Sequence, residues 1–202
     1  MLAISVWNPK GGVGKTTIAL TLAGCFADSG KKTLLVDLDD QGGAMMFGQI
    51  AHKAGMPLPF KIAKQQMEDY EVVIYDHPPQ IETHLPAPLV LVPTVLDALS
   101  IAPTMRGLEE LAAEKRLALL LPNRVELNSA EQSTLLVKLC KADSPYIRKR
   151  MAYPKGYGKG LTIYSDIDGK NGLPSYLQAR EEFDRVPAAL AKLVKSKSTA
   201  RI

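Results

Sequence analysis

Short apolar runs rich in Val, Ile and Leu alternate along the chain with longer segments whose apolar residues recur at helical spacing. The runs Leu2–Trp7, Thr33–Val36, Val72–Tyr75, Leu89–Val92 and Leu117–Leu121 read as buried strands, because parallel strands covered on both faces are apolar throughout rather than alternating. Between the first two, Ile18, Leu22 and Phe26 recur at i, i+4 and i+8, and Gly30 follows. That spacing predicts an amphipathic helix over Thr16–Ser29 closed by a glycine. Further helices are predicted at Ala44–Ala54, Thr104–Lys115, Ser129–Lys141 and Tyr176–Val194, and the glycine-rich stretch Tyr153–Asn171 as loop or weak strand. Strands alternating with helices predict an α/β fold: a doubly wound, mostly parallel sheet flanked by helices, joined by right-handed crossovers. No internal repeat or linker divides residues 1–202, so one domain is expected, with a frayed, flexible basic tail from Lys195 to Ile202.

Composition narrows the class. The chain has 202 residues, 46% of them hydrophobic, enough for one buried core and too apolar for wholesale disorder. Its two cysteines, Cys25 and Cys140, lack ligand spacing, which argues against a disulfide framework, a zinc site or an iron–sulfur site and fits a reducing cytoplasm. His52 and His84 likewise have no ligand-spaced companion. The opening MLAISVW has no basic region or cleavage site and predicts no export signal. The weakly charged stretch Leu85–Leu96 is cut by Pro86, Pro88 and Pro93 and falls short of the ~20 residues of a membrane helix.

The net charge of +4 hides an asymmetry: residues 1–140 carry 12 basic and 15 acidic side chains, residues 141–202 carry 13 and 6. A surplus confined to the last third is a hint of a polyanionic partner, although a solvated basic face has the same composition.

Directly after the first strand comes Asn8-Pro9-Lys10-Gly11-Gly12-Val13-Gly14-Lys15-Thr16-Thr17, opening the first helix. Proline at position 9 breaks the GxxxxGK[ST] pattern, yet the chemistry of KGGxGKT is readable. Gly11, Gly12 and Gly14 let successive N–H groups turn inward as an anion nest at a helix N-terminus. Lys15 can reach β and γ phosphates and the Thr16 hydroxyl can ligate Mg²⁺. Six fixed positions at background usage match by chance about once in 10⁵ such chains.

KGGVGKTT resembles the deviant Walker A signature of the ParA/MinD ATPases. The resemblance implies ATP and Mg²⁺ as cofactors, Lys10 through Thr17 as nucleotide-binding residues, and Lys10 as the signature lysine that touches the partner's phosphates across a sandwich dimer. The segment Asp37-Leu38-Asp39-Asp40-Gln41-Gly42 is similar to the family's DxDPQG, which makes Asp39 the residue that orients the hydrolytic water, beside Lys10 and Lys15 as catalytic groups. Asp40 stands in place of the usual proline. An acidic cap of the following helix is the alternative reading of Asp39 and Asp40. The strand ending at Asp76 has the Walker B layout, so Asp76 would hold Mg²⁺ through a water, with Thr16 and Asp37 as further metal candidates. His77-Pro78-Pro79 resembles the switch segment, His77 reading as a loop residue rather than a base. Asn123, in Asn123-Arg124, resembles the residue that reads the adenine edge, a turn asparagine being its rival.

The motifs run in family order through nearly the whole chain. No helix-turn-helix is expected before Lys10. By resemblance, the chain would be a cytoplasmic, nucleoid-associated segregation ATPase that forms an ATP-bound homodimer and binds double-stranded DNA nonspecifically. A centromere-binding or cargo adaptor partner would trigger hydrolysis. The expected DNA contacts are Arg148, Lys149, Arg150, Lys192, Lys195 and Lys197, with Arg201. A MinD-like positioning ATPase is the alternative, its membrane segment drawn from Val186, Leu190, Leu193 and Val194 with neighbouring lysines, although Pro187 interrupts it and aromatic anchors are missing.

Overall fold

The computed structural model describes residues 1–81, 85–165 and 174–199. In chain order the elements are β1 (Leu2–Val6), α1 (Lys15–Asp28), β2 (Thr33–Asp37), α2 (Gly43–Lys53), β3 (Lys61–Ala63), β4 (Val72–Asp76), β5 (Leu89–Val95), α3 (Ala98–Ala113), β6 (Leu117–Asn123), α4 (Ala130–Leu139), α5 (Ala152–Tyr157), α6 (Pro174–Phe183) and α7 (Arg185–Thr199). The six strands form one sheet in the order β3-β2-β4-β1-β5-β6, with every pairing parallel. The five expected strands are all present. The sixth, β3, escaped notice because Lys61-Ile62-Ala63 is three residues long and lies half out of the core at the sheet edge.

Successive strand residues point to opposite faces, and the core divides accordingly. Ile4, Val6, Leu35, Ile74, Leu89 and Leu91 meet α1, α2, α6 and α7 on one face. Trp7, Val90 and Val92 meet Leu111 of α3 on the other. Helix α1 is not amphipathic in its surroundings: Ile18 through Gly24 are buried without interruption, because Ile163, Tyr164 and Phe183 cover the side turned away from the sheet.

Three helix expectations need correction. Helix α3 begins at Ala98, ahead of the expected Thr104, and contains Pro103. Asp97 caps it by accepting from the Ser100 amide at 2.9 Å, and the carbonyl that Pro103 cannot reach belongs to Leu99, whose side chain is 79% exposed, so water can satisfy it. The expected helix Tyr176–Val194 is two helices broken at Asp184. Pro187 lies in the first turn of α7, where its missing N–H is not needed, and the Asp184 carboxylate accepts from the Tyr164 hydroxyl at 2.5 Å. The third concerns Tyr153–Asn171, which opens with α5 rather than loop or strand. The Tyr157 ring sits 5.2 Å from that of Phe47 and its hydroxyl donates to the Gly43 carbonyl at 2.7 Å, contacts that outweigh local glycine propensity. Residues 166–171 of that stretch, like Arg201 and the end of the expected tail, lie outside the described residues; Lys195 itself is on α7, which continues to Thr199. Among the described residues no helix is long and apolar enough to cross a membrane.

Gly107 marks where α3 closes on the sheet: a Cβ there would lie 2.8 Å from the buried Trp7 ring. Gly107→Ala should therefore destabilise the protein, since overpacking of about 1–3 kcal/mol exceeds the helix-propensity gain of about 1 kcal/mol. Urea denaturation should show a net loss on the order of 1 kcal/mol; an unchanged midpoint would contradict the close approach.

Candidate active site

The sheet delivers its chemistry to one end. β1 lies between β4 and β5, so helices leave in opposite directions there and a crevice opens at the strand C-termini. Register places Val6 and Asp37 on either side of Asp76, and β6 ends on Asn123. A cavity of about 580 Å³ fills this crevice, walled by Gly11, Gly14, Lys15, Thr16, Asp39 and Pro79.

The phosphate loop is held open by its glycines. Gly14 is left-handed (φ 95°) and serves as the N-cap of α1 with no side-chain cap, which leaves the first-turn N–H groups facing an incoming anion. A Cβ at Gly14 would also meet Asn123 Nδ2 at 2.5 Å. Asn8 anchors the other end of the loop: Asn8 Oδ1 accepts from the Lys10 amide at 2.8 Å, and Asn8 Nδ2 donates to the Pro93 carbonyl and Thr104 hydroxyl, each at 2.8 Å. The Lys15 ammonium crosses the loop to the Lys10 carbonyl at 3.0 Å. Burial lowers its pKa, while Asp76 and then Asp39 pull it back up. Lys10 is half-buried with its backbone fixed on both sides.

Four aspartates arrive at the crevice and do different work. Asp37 is fully buried and its carboxylate accepts from the amides of Asp39 at 3.1 Å and Met45 at 2.9 Å, with Lys64 at 3.6 Å. It shapes the turn and caps α2, the duty the cap reading assigned to Asp39 or Asp40. Asp39 lines the cavity, and its carboxylate accepts from the Gln41 amide at 2.9 Å. Asp40 is exposed at the cavity rim.

Asp76 is the exception. It is 0% exposed, and neither carboxylate oxygen has a hydrogen-bond partner among the described residues. Burial pushes its pKa up to about 7; the Thr16 hydroxyl and Lys15 oppose that shift, and Asp37 reinforces it. An unsatisfied buried carboxylate is costly, and a hydrated cation beside Thr16 would satisfy it. No cluster of three or more His, Cys, Asp and Glu among the described residues could hold a metal. That donor set suits Mg²⁺, which keeps waters and takes much of its shell from phosphate oxygens.

His77 follows β4 in a loop, as expected, and is buried there, with Nε2 3.0 Å from the Ser5 hydroxyl. Burial, then Lys15 and Arg116, lower its pKa to about 4, so it is neutral in ordinary buffers. Asn123 is also committed: Nδ2 donates to the Val13 carbonyl at 2.8 Å and Oδ1 accepts from the Arg124 amide at 2.9 Å. It still borders a second cavity of about 610 Å³ that shares Thr16, Thr17 and Arg124 with the first and is walled by Met151, Tyr153 and Tyr157.

Sequence reasoning gave no role to Arg124, Tyr157 or Lys64. Arg124 holds a left-handed backbone (φ 57°) and donates to the Gly12 carbonyl at 3.1 Å; its place in the Asn-Arg pair was the available signal. Tyr157 and Lys64 reach the site only through tertiary folding. The basic region divides. Arg148 and Lys149 are exposed beside the second cavity, Lys149 pairing with Glu126 at 3.0 Å. Arg150 turns inward to Glu182 at 3.0 Å. Lys192 is 3.6 Å from Asp143 on the exposed side of α7, and Lys195 also lies exposed on α7. The Lys197 side chain lies outside the described residues.

The raised pKa of Asp76 has a defined stability signature. The native state keeps this proton up to about pH 7, whereas an unfolded chain releases it near pH 4. The native state then binds more protons, and stability falls as pH rises through that window. Asp76→Asn should match the parent near pH 4 and exceed it by about 4 kcal/mol near pH 8, in chelator. Denaturant titrations would measure this; a difference constant with pH would contradict it.

The family model described as the CobQ/CobB/MinD/ParA nucleotide binding domain matches residues 4–161. The chain is 30% identical over 207 aligned positions to the maintenance of carboxysome distribution protein A of Gloeobacter kilaueensis, covering 90% of this chain and 94% of that protein. It is 61% identical to the chromosome-partitioning ATPase Soj of Thermus thermophilus over 41 residues, which cover 20% of this chain and 16% of Soj. Among solved structures, apo McdA from Cyanthece superposes with a TM-score of 0.71 at 17% identity, over 94% of this chain and 99% of that one. An ATP complex of an McdA variant gives a TM-score of 0.64 at 16% identity, over 91% and 96%. These likenesses show the shared fold. The chain belongs to the CobQ/CobB/MinD/ParA family of nucleotide-binding domains and is a ParA-type member of it.

Proposed function

We propose that this chain is a Mg²⁺-dependent ATPase that segregates or distributes a cargo over DNA, dimerising and binding duplex DNA when ATP is bound and releasing it when a cargo adaptor stimulates hydrolysis. The observation that carries the reading is a buried, unpartnered Asp76 set beside Lys15 and Thr16, which line one cavity at the uncapped N-terminus of α1. The loop N–H groups and Lys15 bind and orient the phosphates. Thr16 and Asp76 would hold Mg²⁺, which supplies charge neutralisation on the phosphate oxygens. Asp39 lines the same cavity and is the group that would orient the attacking water, while Lys10 would reach the nucleotide of a second copy. The apolar second cavity suits a base, with Asn123 at its inner edge.

Names of relatives that act in chromosome partitioning and carboxysome distribution support cargo positioning, and the exposed cations on α7 support a sequence-independent DNA contact in a cytoplasmic, nucleoid-bound protein. The membrane reading loses most of its apolar face: Val186 and Leu190 are 0% and 2% exposed in the core and Leu193 packs against it, which leaves Val194, 43% exposed.

Mobility-shift assays on arbitrary duplex DNA test this. ATP and Mg²⁺ should retard the DNA at low salt and the shift should vanish between about 50 and about 200 mM salt. Lys15→Ala should abolish both the shift and nucleotide turnover. DNA left unshifted by ATP at low salt would overturn the proposal.

A further inference from the structure

The segment that roofs the phosphate cavity, Pro78-Pro79-Gln80, is pinned at both ends by consecutive residues of one strand and the residue after it. At its start, the His77 amide donates to the Val6 carbonyl at 3.2 Å, and the His77 ring meets the Ser5 hydroxyl at 3.0 Å. At its end, the Trp7 indole N–H donates to the Gln80 carbonyl at 3.2 Å. Pro78, Pro79 and Gln80 all line the cavity, and the phosphate loop touches this roof, a Cβ at Gly11 lying 3.6 Å from that of Pro79.

Trp7 is the only tryptophan in the sequence. It is 1% exposed and wedged against α3 at Gly107. Its neighbour Asn8 fixes the phosphate loop to β5 and α3 through Lys10, Pro93 and Thr104. One rigid dipeptide therefore holds the floor of the cavity with Asn8 and its roof with Trp7. A ring so tightly seated cannot shift without moving α3, so the hydrogen bond fixes the Gln80 backbone relative to the phosphate loop.

We propose that Trp7 is a positioning residue: its indole N–H latches the Gln80 carbonyl and holds the roof of the phosphate cavity in place while nucleotide is bound. The inference rests on the nucleotide reading above. It names a residue outside the phosphate-loop motif whose effect is on turnover rather than on binding, because the latch orients the roof and touches no phosphate.

A lone tryptophan gives one indole N–H resonance, which can be followed by ¹⁵N NMR in the full chain. In nucleotide-free protein this proton should exchange slowly, reporting the latch without any ligand. On adding a non-hydrolysable ATP analogue with Mg²⁺ the resonance should move, and in Lys15→Ala it should stay. Trp7→Phe keeps an aromatic ring and removes the donor together with part of the buried indole, so its urea midpoint is measured alongside to show that the protein is folded. It should retain nucleotide affinity within about twofold while turnover falls about fivefold, the size of one ordinary hydrogen bond. Rapid indole exchange in the free protein would overturn the latch. So would an unmoved resonance in protein shown by a fluorescent analogue to bind nucleotide, or unchanged turnover in a folded Trp7→Phe protein. If no analogue binds the parent chain, the nucleotide reading and this inference fall together; if it binds and the indole does not respond, only the inference fails.

Discussion

A carboxylate buried without a hydrogen bond is the constraint around which the crevice is arranged. Asp76 is placed by backbone pairing, locked in register with Val6 on one side and Asp37 on the other, so it cannot swing out to water. Burial drives its pKa to about 7, because no hydrogen-bond donor meets its carboxylate to stabilise the charge. Lys15 supplies part of the answer from the loop above. On the proposed reading the remainder comes from a metal-bound polyanion, to which a site left unsatisfied in this way would respond.

Asp37 shows the contrast. It ends the neighbouring strand at the same level, yet its carboxylate is saturated by the Asp39 and Met45 amides and by Lys64. Two aspartates facing each other across paired strands thus have opposite roles, one closing a turn and the other left open for chemistry. Asn123 belongs with Asp37 in this respect: its amide ties the end of β6 to the phosphate loop, and Gly14 is obligatory there because any side chain would collide with that amide.

Much of this was legible in the amino-acid order. Five buried strands, the phosphate loop and the strand-ending Asp76 follow from apolar runs and from residue chemistry at fixed spacing. What escaped was set by packing. β3 is too short to carry a pattern. α3 starts six residues ahead of the expected Thr104 because Asp97 caps it there. α5 forms because Tyr157 finds Phe47 and Gly43, far away in sequence. The basic last third was visible as composition, but composition could not show that Arg150 is spent on Glu182 while Arg148 stays exposed. The Trp7 contact with Gln80 spans 73 residues, and no local signal foretells it.

The central claim is that Asp76 awaits a metal-bound nucleotide. It is tested most directly by calorimetry of premixed Mg²⁺ and ATP binding to the parent chain at about pH 7 in buffers of different ionisation enthalpy. The account predicts binding that depends on Mg²⁺ and expels a fraction of a proton, about half, as Asp76 becomes ionised. Equal affinity for ATP in chelator, or a heat that does not change with the buffer, would contradict it.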